Sequence, residues 1–209
     1  MRRHSAVGVT VCLMVSALAA PVTHAADEIS PACGIYQANH ILVDGFVNKP
    51  GISLTVDQLA AMPDQKNIDI SFVDRLGKTQ HHSESGPLLW TVLSAAGGIR
   101  TPAPVLEQYQ GPNPLVTLFV LMIATNGYQS LVSEAEIDPT YGNQPVLVSL
   151  VEDGKPMTDA PYSTTNKAPA ELVVPGDLRG GRYANRICHI VVLNGALASD
   201  DDRSPRGIF

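Results

Sequence analysis

The chain has 209 residues, 44% of them hydrophobic and 16% charged, with a formal net charge of −6. This is the composition of one ordinary globular domain and excludes collagen-like and low-complexity chains. The acidic balance argues against nucleic acid or an anionic membrane surface as a partner.

Residues 1–25 read as a secretory signal peptide. Arg2 and Arg3 precede the apolar run Val7–Ala20, and Thr23-His24-Ala25 places small residues at positions −3 and −1 of a cleavage site. The residues after Arg2-Arg3 are poor for a twin-arginine signal, so general export is the expected route. Cleavage removes two arginines and no carboxylate, moving the net charge to about −8. The apolar runs are too short to span a bilayer. The expectation is a periplasmic protein that is not embedded in the membrane.

Residues 26–40 form a polar N-terminal arm carrying Cys33, whose one cysteine counterpart in the mature chain is Cys188. In an exported protein a structural disulfide is the favoured reading, and a metal site begun by Cys188-His189 is the weaker one, because no spaced ligand pairs accompany it. The folded domain is expected over 41–193, with a polar tail over 194–209.

Within the domain, Ile41–Val47 reads as a strand and Asn48-Lys49-Pro50-Gly51 as a turn. A short helix opens at Leu54, with Thr55 as N-cap and Gln58 completing a capping box, and Met62-Pro63 ends it. Ile68, Ile70 and Phe72 alternate with polar residues as in a half-buried strand, and Arg75–Lys78 suits a turn. Leu89, Val92, Leu93 and Ala96 recur at helical spacing ahead of Gly97-Gly98, which predicts a helix closed by a glycine cap.

The proline-rich stretch 101–114 reads as a surface loop, and Val116–Ala124 as a buried strand running into the tight turn Asn126-Gly127. Further short elements follow at Leu131–Ile137, Val146–Val151, Leu172–Val174 and Ile187–Leu193, with turns at Asp153-Gly154 and Pro175-Gly176-Asp177. The pattern is that of a strand-dominated, mixed α+β single domain with two or three short helices.

Generic catalytic motifs are missing from the sequence: there is no Gly-x-Ser-x-Gly, no phosphate loop and no His-Glu-x-x-His. His81-His82-Ser83-Glu84 resembles a ligand cluster, but an exposed turn is its expected home. The acidic pairs Glu134 with Glu136 and Glu152 with Asp153 are expected to face solvent.

The order of several short segments is more informative. Val43-Asp44-Gly45-Phe46-Val47-Asn48-Lys49-Pro50-Gly51 is followed by a Leu-x-x-x-x-Leu helix and then by Gly86-Pro87-Leu88-Leu89-Trp90. After these come Asn126-Gly127-Tyr128, Glu152-Asp153-Gly154-Lys155-Pro156-Met157, Leu172-Val173-Val174-Pro175-Gly176-Asp177 and Gly181-Arg182-Tyr183, before a terminal Ile-x-Val strand. Over residues 41–193 this series resembles the molybdopterin-binding domain of the sulfite oxidase family.

The resemblance implies a sulfite oxidase-like fold with a groove for a pterin. Catalytic members hold molybdenum through a cysteine thiolate between the early strand and the Gly-x-x-Leu helix, and residues 64–85 here contain no cysteine. The shorter chain is similar instead to periplasmic proteins that bind a free reduced pterin and relay its presence to a membrane-bound diguanylate cyclase/phosphodiesterase. A tetrahydromonapterin-like pterin is then the expected ligand, with no metal. Molybdopterin is the alternative, in a small molybdopterin-dependent oxidoreductase or redox subunit.

A pterin ring needs a flat face to stack on and polar groups at its edge. Trp90 and Tyr128 are the candidate faces, and Asn126 offers a donor and an acceptor. Arg182 would stack on the ring or bind an anionic substituent. Glu171 and Asp177 are candidates for the aminopyrimidine edge.

Overall fold

The computed structural model describes Cys33 and residues 39–101, 114–157 and 170–195. Strand β1 (His40–Gly45) alternates as expected and buries Ile41 and Val43. It turns back into β2 (Ile52–Thr55), which pairs with it antiparallel, Leu42 opposite Ser53. The sequence gives no sign of β2, because only Leu54 of its four residues is buried, and one apolar residue makes no period.

Helix α1 (Val56–Ala60) then starts where the capping box predicts. Thr55 Oγ1 accepts the Gln58 amide at 3.1 Å, and Gln58 Oε1 accepts the Thr55 amide at 2.8 Å. The two bonds satisfy N–H groups that the first helical turn leaves without partners.

Strands β3 (Gln65–Val73) and β4 (Thr79–Pro87) form a hairpin about the expected turn, paired over their whole length. β4 corrects the expected exposed turn at 81–84: His82, Ser83 and Glu84 lie on a regular strand. Its sequence, Thr-Gln-His-His-Ser-Glu-Ser, has no apolar alternation, since backbone pairing with β3 rather than side-chain burial defines it. Gly86 near its end is a site of close backbone approach, where a Cβ would strike the Val148 carbonyl.

Helix α2 (Leu89–Ala95) buries Leu89, Val92 and Leu93. It closes as the paired glycines predict, with the Gly98 amide bonded to the Leu93 carbonyl at 3.0 Å and Gly98 at φ +79°.

A short 3-10 turn (Pro114–Thr117) leads into β5 (Leu118–Ala124), which pairs antiparallel with β6 (Gln129–Ser133) across the Asn126-Gly127 turn. The element expected over Leu131–Ile137 is divided between β6 and a single helical turn, α3 (Glu134–Ile137). The strand expected over Val146–Val151 likewise divides, into β7 (Leu147–Ser149) and β8 (Val151–Glu152). β8 turns through Asp153-Gly154 into β9 (Lys155–Pro156). β10 (Glu171–Val173), a 3-10 turn over Gly180–Arg182, and β11 (Ile187–Asn194) follow. Most of the loop expected over 101–114, the tail beyond 195, the expected signal peptide and most of the arm lie outside the described residues.

The strands make three sheets. β2-β1-β11-β5-β6 is five-stranded, with β1 and β11 parallel and the other pairs antiparallel. β3-β4-β8-β9 is four-stranded, and β10 pairs with β7 alone. Residues from all three sheets and from α2 and α3 share one hydrophobic core that includes Ile41, Leu89, Met122, Leu147, Leu172 and Ile190. Each fully buried Leu or Ile there contributes about 1.5–3 kcal/mol. The result is a strand-dominated, mixed α+β domain, and none of its described helices is long and apolar enough to cross a membrane.

Cys33 and Cys188 are joined in a disulfide with a Cα–Cα distance of 5.5 Å, buried beside Ile123. It ties the arm to the central strand of the five-stranded sheet and spans 155 residues of sequence. On the chain-entropy argument a bridge of that span stabilises the fold by up to about 5 kcal/mol.

Candidate functional site

Two groups of polar side chains stand out. The first surrounds Arg182 on the 3-10 turn before β11. Its Nε and Nη2 donate to the two carboxylate oxygens of Asp177 at 2.8 and 2.6 Å, and Nη1 donates to both oxygens of Glu136 at 3.1 Å. The two acids hold the guanidinium firmly charged, Asp177 more strongly than Glu136.

Tyr128 and Asn126 belong to the same neighbourhood. The Tyr128 hydroxyl donates to the Gly181 carbonyl, and Ser130 Oγ on β6 donates to the Arg182 carbonyl at 2.9 Å. Asn126 Oδ1 accepts the Tyr128 amide at 3.0 Å, which fixes the β5–β6 turn. The Tyr128 ring itself is half exposed.

The structure therefore brings four of the expected site residues together: Asn126, Tyr128, Asp177 and Arg182. Their polar atoms are largely committed to one another and to the backbone. Glu136, which the sequence reading left on a solvent-facing surface, is the missing member of this group. Nothing in its local sequence marks it, because the contact spans 46 residues.

The second group is acidic and centres on Glu171. Glu171 on β10 is the register partner of Ser149 on β7, and Ser149 Oγ donates to Glu84 Oε2 at 2.7 Å. Glu84 is 2% exposed and faces Glu152 directly across the β4–β8 pairing. Like charges in register across a strand pair repel. Burial, reinforced by Glu152, pushes the Glu84 carboxyl up to about 7. Burial, with Glu84 and Glu152 both contributing, pushes Glu171 up to about 8.

Around these acids stand three rings and one more carboxylate. His82 Nδ1 lies 2.9 Å from Glu152 Oε1 and 3.1 Å from Asp153 Oδ2. The His82 ring stacks on Phe72 at 6.0 Å, and Phe72 meets Tyr183 edge-on at 4.6 Å. The Tyr183 hydroxyl donates to the Val174 carbonyl at 3.1 Å, and burial, with Asp177, Glu171 and Glu84 adding to it, pushes its pKa up to about 12. Asp153 is held below the usual carboxylate range by the Ser83 amide first and His82 second.

The sequence singles out Glu171 as a candidate but does not place Glu84, His82 and Glu152 around it. The signal present, Glu84 on one strand and Glu152-Asp153 on a hairpin, becomes meaningful only once β4 and β8 are known to pair. The segment 181–185 links the two groups. It carries the Gly181 and Arg182 carbonyls, Tyr183, and Ala184 and Asn185, which pair with β10.

Trp90 makes none of the hydrogen bonds or ring contacts described for either group. It is half-buried on α2 and packs against the main core, and its carbonyl accepts Ser94 Oγ at 2.8 Å.

Glu134 overturns a further expectation. Expected to face solvent, it is fully buried, and neither carboxyl oxygen has a hydrogen-bond donor. Burial, and then the neighbouring Asp138, raise its pKa to about 7. Burial acts to raise Asp138 too, but the Thr140 hydroxyl and amide outweigh it, so Asp138 stays below its ordinary value. Below pH 7 the pair is a neutral acid beside a carboxylate.

A molybdenum ion held by a protein thiolate does not fit this donor set. Both cysteines among the described residues have their sulfurs in the disulfide, and β3, β4 and the turn between them supply none. No family model matches the chain, and no curated protein matches it significantly.

Proposed function

We propose that this is a periplasmic pterin-binding protein with a sulfite oxidase-like fold, non-catalytic, which passes pterin availability to the periplasmic domain of a membrane-bound diguanylate cyclase/phosphodiesterase. The observation that carries the reading is the environment of Glu171. A partly buried carboxyl near the Tyr183 ring suits the 2-amino-4-oxo edge of a pterin, whose two N–H donors would draw it into its carboxylate form on binding.

In this reading Glu171 takes the ring edge and the exposed face of Tyr128 offers a stacking surface. Arg182, Asp177 and Asn126, bonded around the Tyr128 turn, hold that face in place. The ligand is a tetrahydromonapterin-like pterin. The disulfide supports a binding rather than a molybdenum-dependent role, since it leaves no free thiol among the described residues to ligate the metal.

The test is direct. Protein isolated from a periplasmic extract without chelators is acidified, and the released material is assayed for pterin fluorescence and molybdenum together. Pterin without molybdenum is the expected result; stoichiometric molybdenum with a pterin dithiolene overturns the proposal in favour of an oxidoreductase. In titrations with a reduced pterin, Glu171→Gln is expected to weaken binding at least tenfold while the circular dichroism spectrum stays the same.

A further inference from the structure

The corner where β4 meets the β8–β9 hairpin holds a set of donors that the pterin reading does not use. His82, Glu152 and Asp153 each offer one ligand atom, and these atoms all lie within 4.8 Å of one another. The His82 contacts, 2.9 Å to Glu152 Oε1 and 3.1 Å to Asp153 Oδ2, are close to a donor–donor edge of about 3.0–3.4 Å around an ion bound at about 2.1 Å.

The donors are also held from behind. Asp153 uses its other oxygen, Oδ1, to accept the Ser83 amide at 2.9 Å, which leaves Oδ2 free to turn toward His82. The His82 ring lies against Phe72, which limits its rotation. Glu84, buried and held by Ser149, places a further carboxyl beneath the group. Such supporting contacts are what orient the ligands of a metal site.

Charge points the same way. Glu152 and Asp153 act on Glu84, and Glu84 and Glu152 on Glu171, with His82 and Lys155 as the cations that bear on these acids, Lys155 standing opposite Glu152 on the exposed hairpin. One neutral imidazole and two carboxylates balance a divalent ion. The mixture of nitrogen and oxygen donors favours a first-row transition metal over the oxygen-seeking calcium or magnesium.

We infer that His82, Glu152 and Asp153 form a binding site for a transition-metal dication such as Zn²⁺, with Glu84 as a buried countercharge and solvent completing the coordination. The site is peripheral to the Arg182 group and needs no pterin.

Isothermal titration of the full chain, stripped with chelator, with Zn²⁺ alone tests this. One saturable site per chain is expected. His82→Ala and Asp153→Asn should each weaken it at least tenfold, while His81→Ala, the neighbouring histidine on the opposite side of β4, should leave it unchanged. Asp153 is exposed, so its variant reports even where His82→Ala perturbs folding. The inference is overturned by the absence of saturable binding, by equal loss in His81→Ala, or by binding that survives Asp153→Asn undiminished. Because the probe is the metal alone, a failure here leaves the pterin assay unaffected, and the reverse.

Discussion

The five-stranded and four-stranded sheets of this domain handle charge and closure in opposite ways. The five-stranded sheet is fastened covalently at its centre by Cys33–Cys188, and beyond its β5–β6 end Arg182 is matched by Asp177 and Glu136. The four-stranded sheet has no such fastening. It sets Glu84 against Glu152 in register and adds Asp153 and, from β10, Glu171. One region spends its polar groups on holding itself together. The other gathers four carboxyl groups with His82 and Lys155 as their nearby cations, and the proposed pterin and metal sites both draw on that acidic corner.

The comparison breaks first at the disulfide. Cys33→Ser with Cys188→Ser, or a strong reductant, should lower the melting temperature by the largest amount of any change considered, corresponding to as much as about 5 kcal/mol. An unchanged melting curve with two titratable thiols would show that the bridge does not fasten the sheet.

Next comes Arg182→Met, which strands Asp177 and Glu136. Arg182 is 36% exposed, so solvent screens part of the loss, and about 1–2 kcal/mol is expected by chemical denaturation. Adding salt should change this variant less than the parent. A neutral outcome would mean that the ion pairs are ornaments of an already closed surface.

The acids sharpen the contrast through pH. Glu84 and Glu134, raised to about 7, and Glu171, raised to about 8, bind protons more tightly folded than unfolded. Their stabilising effect is complete below the unfolded carboxyl value near 4.5 and is lost as pH rises through 7 to 8. The melting temperature should therefore fall between pH 5 and pH 8.5. Glu134→Gln keeps the shape and removes the ionisation, so it should flatten that slope and raise stability at pH 8, on the order of 1–3 kcal/mol. A slope unaltered by Glu134→Gln would place the titrating groups elsewhere.

The smallest structural effect is expected at Trp90. Half-buried against the core, Trp90→Phe should cost about 1 kcal/mol and leave pterin binding within threefold. A large loss of binding at intact stability would move the site from Glu171 towards α2.

Much of the architecture was legible locally. The capping box at Thr55 and Gln58, the glycine closure of α2, the Asn126-Gly127 turn and the apolar strand β5 were all readable, because each depends on residues within a few positions of one another. β4 was not, since a polar strand held by backbone pairing carries no period that a sequence can display. The burial of Glu134 was hidden as well. A Glu-x-Glu segment looks the same whether its first acid faces water or the interior, and only the packing around α3 decides between them.

The sequence by itself determined the class of fold and the two cysteines that could meet, because composition and short-range pattern are properties of neighbouring residues. Tertiary structure alone decided which charges face each other. Arg182 finds Glu136 across 46 residues and Glu84 faces Ser149 across 65, and such pairings follow from strand order, which no local pattern encodes.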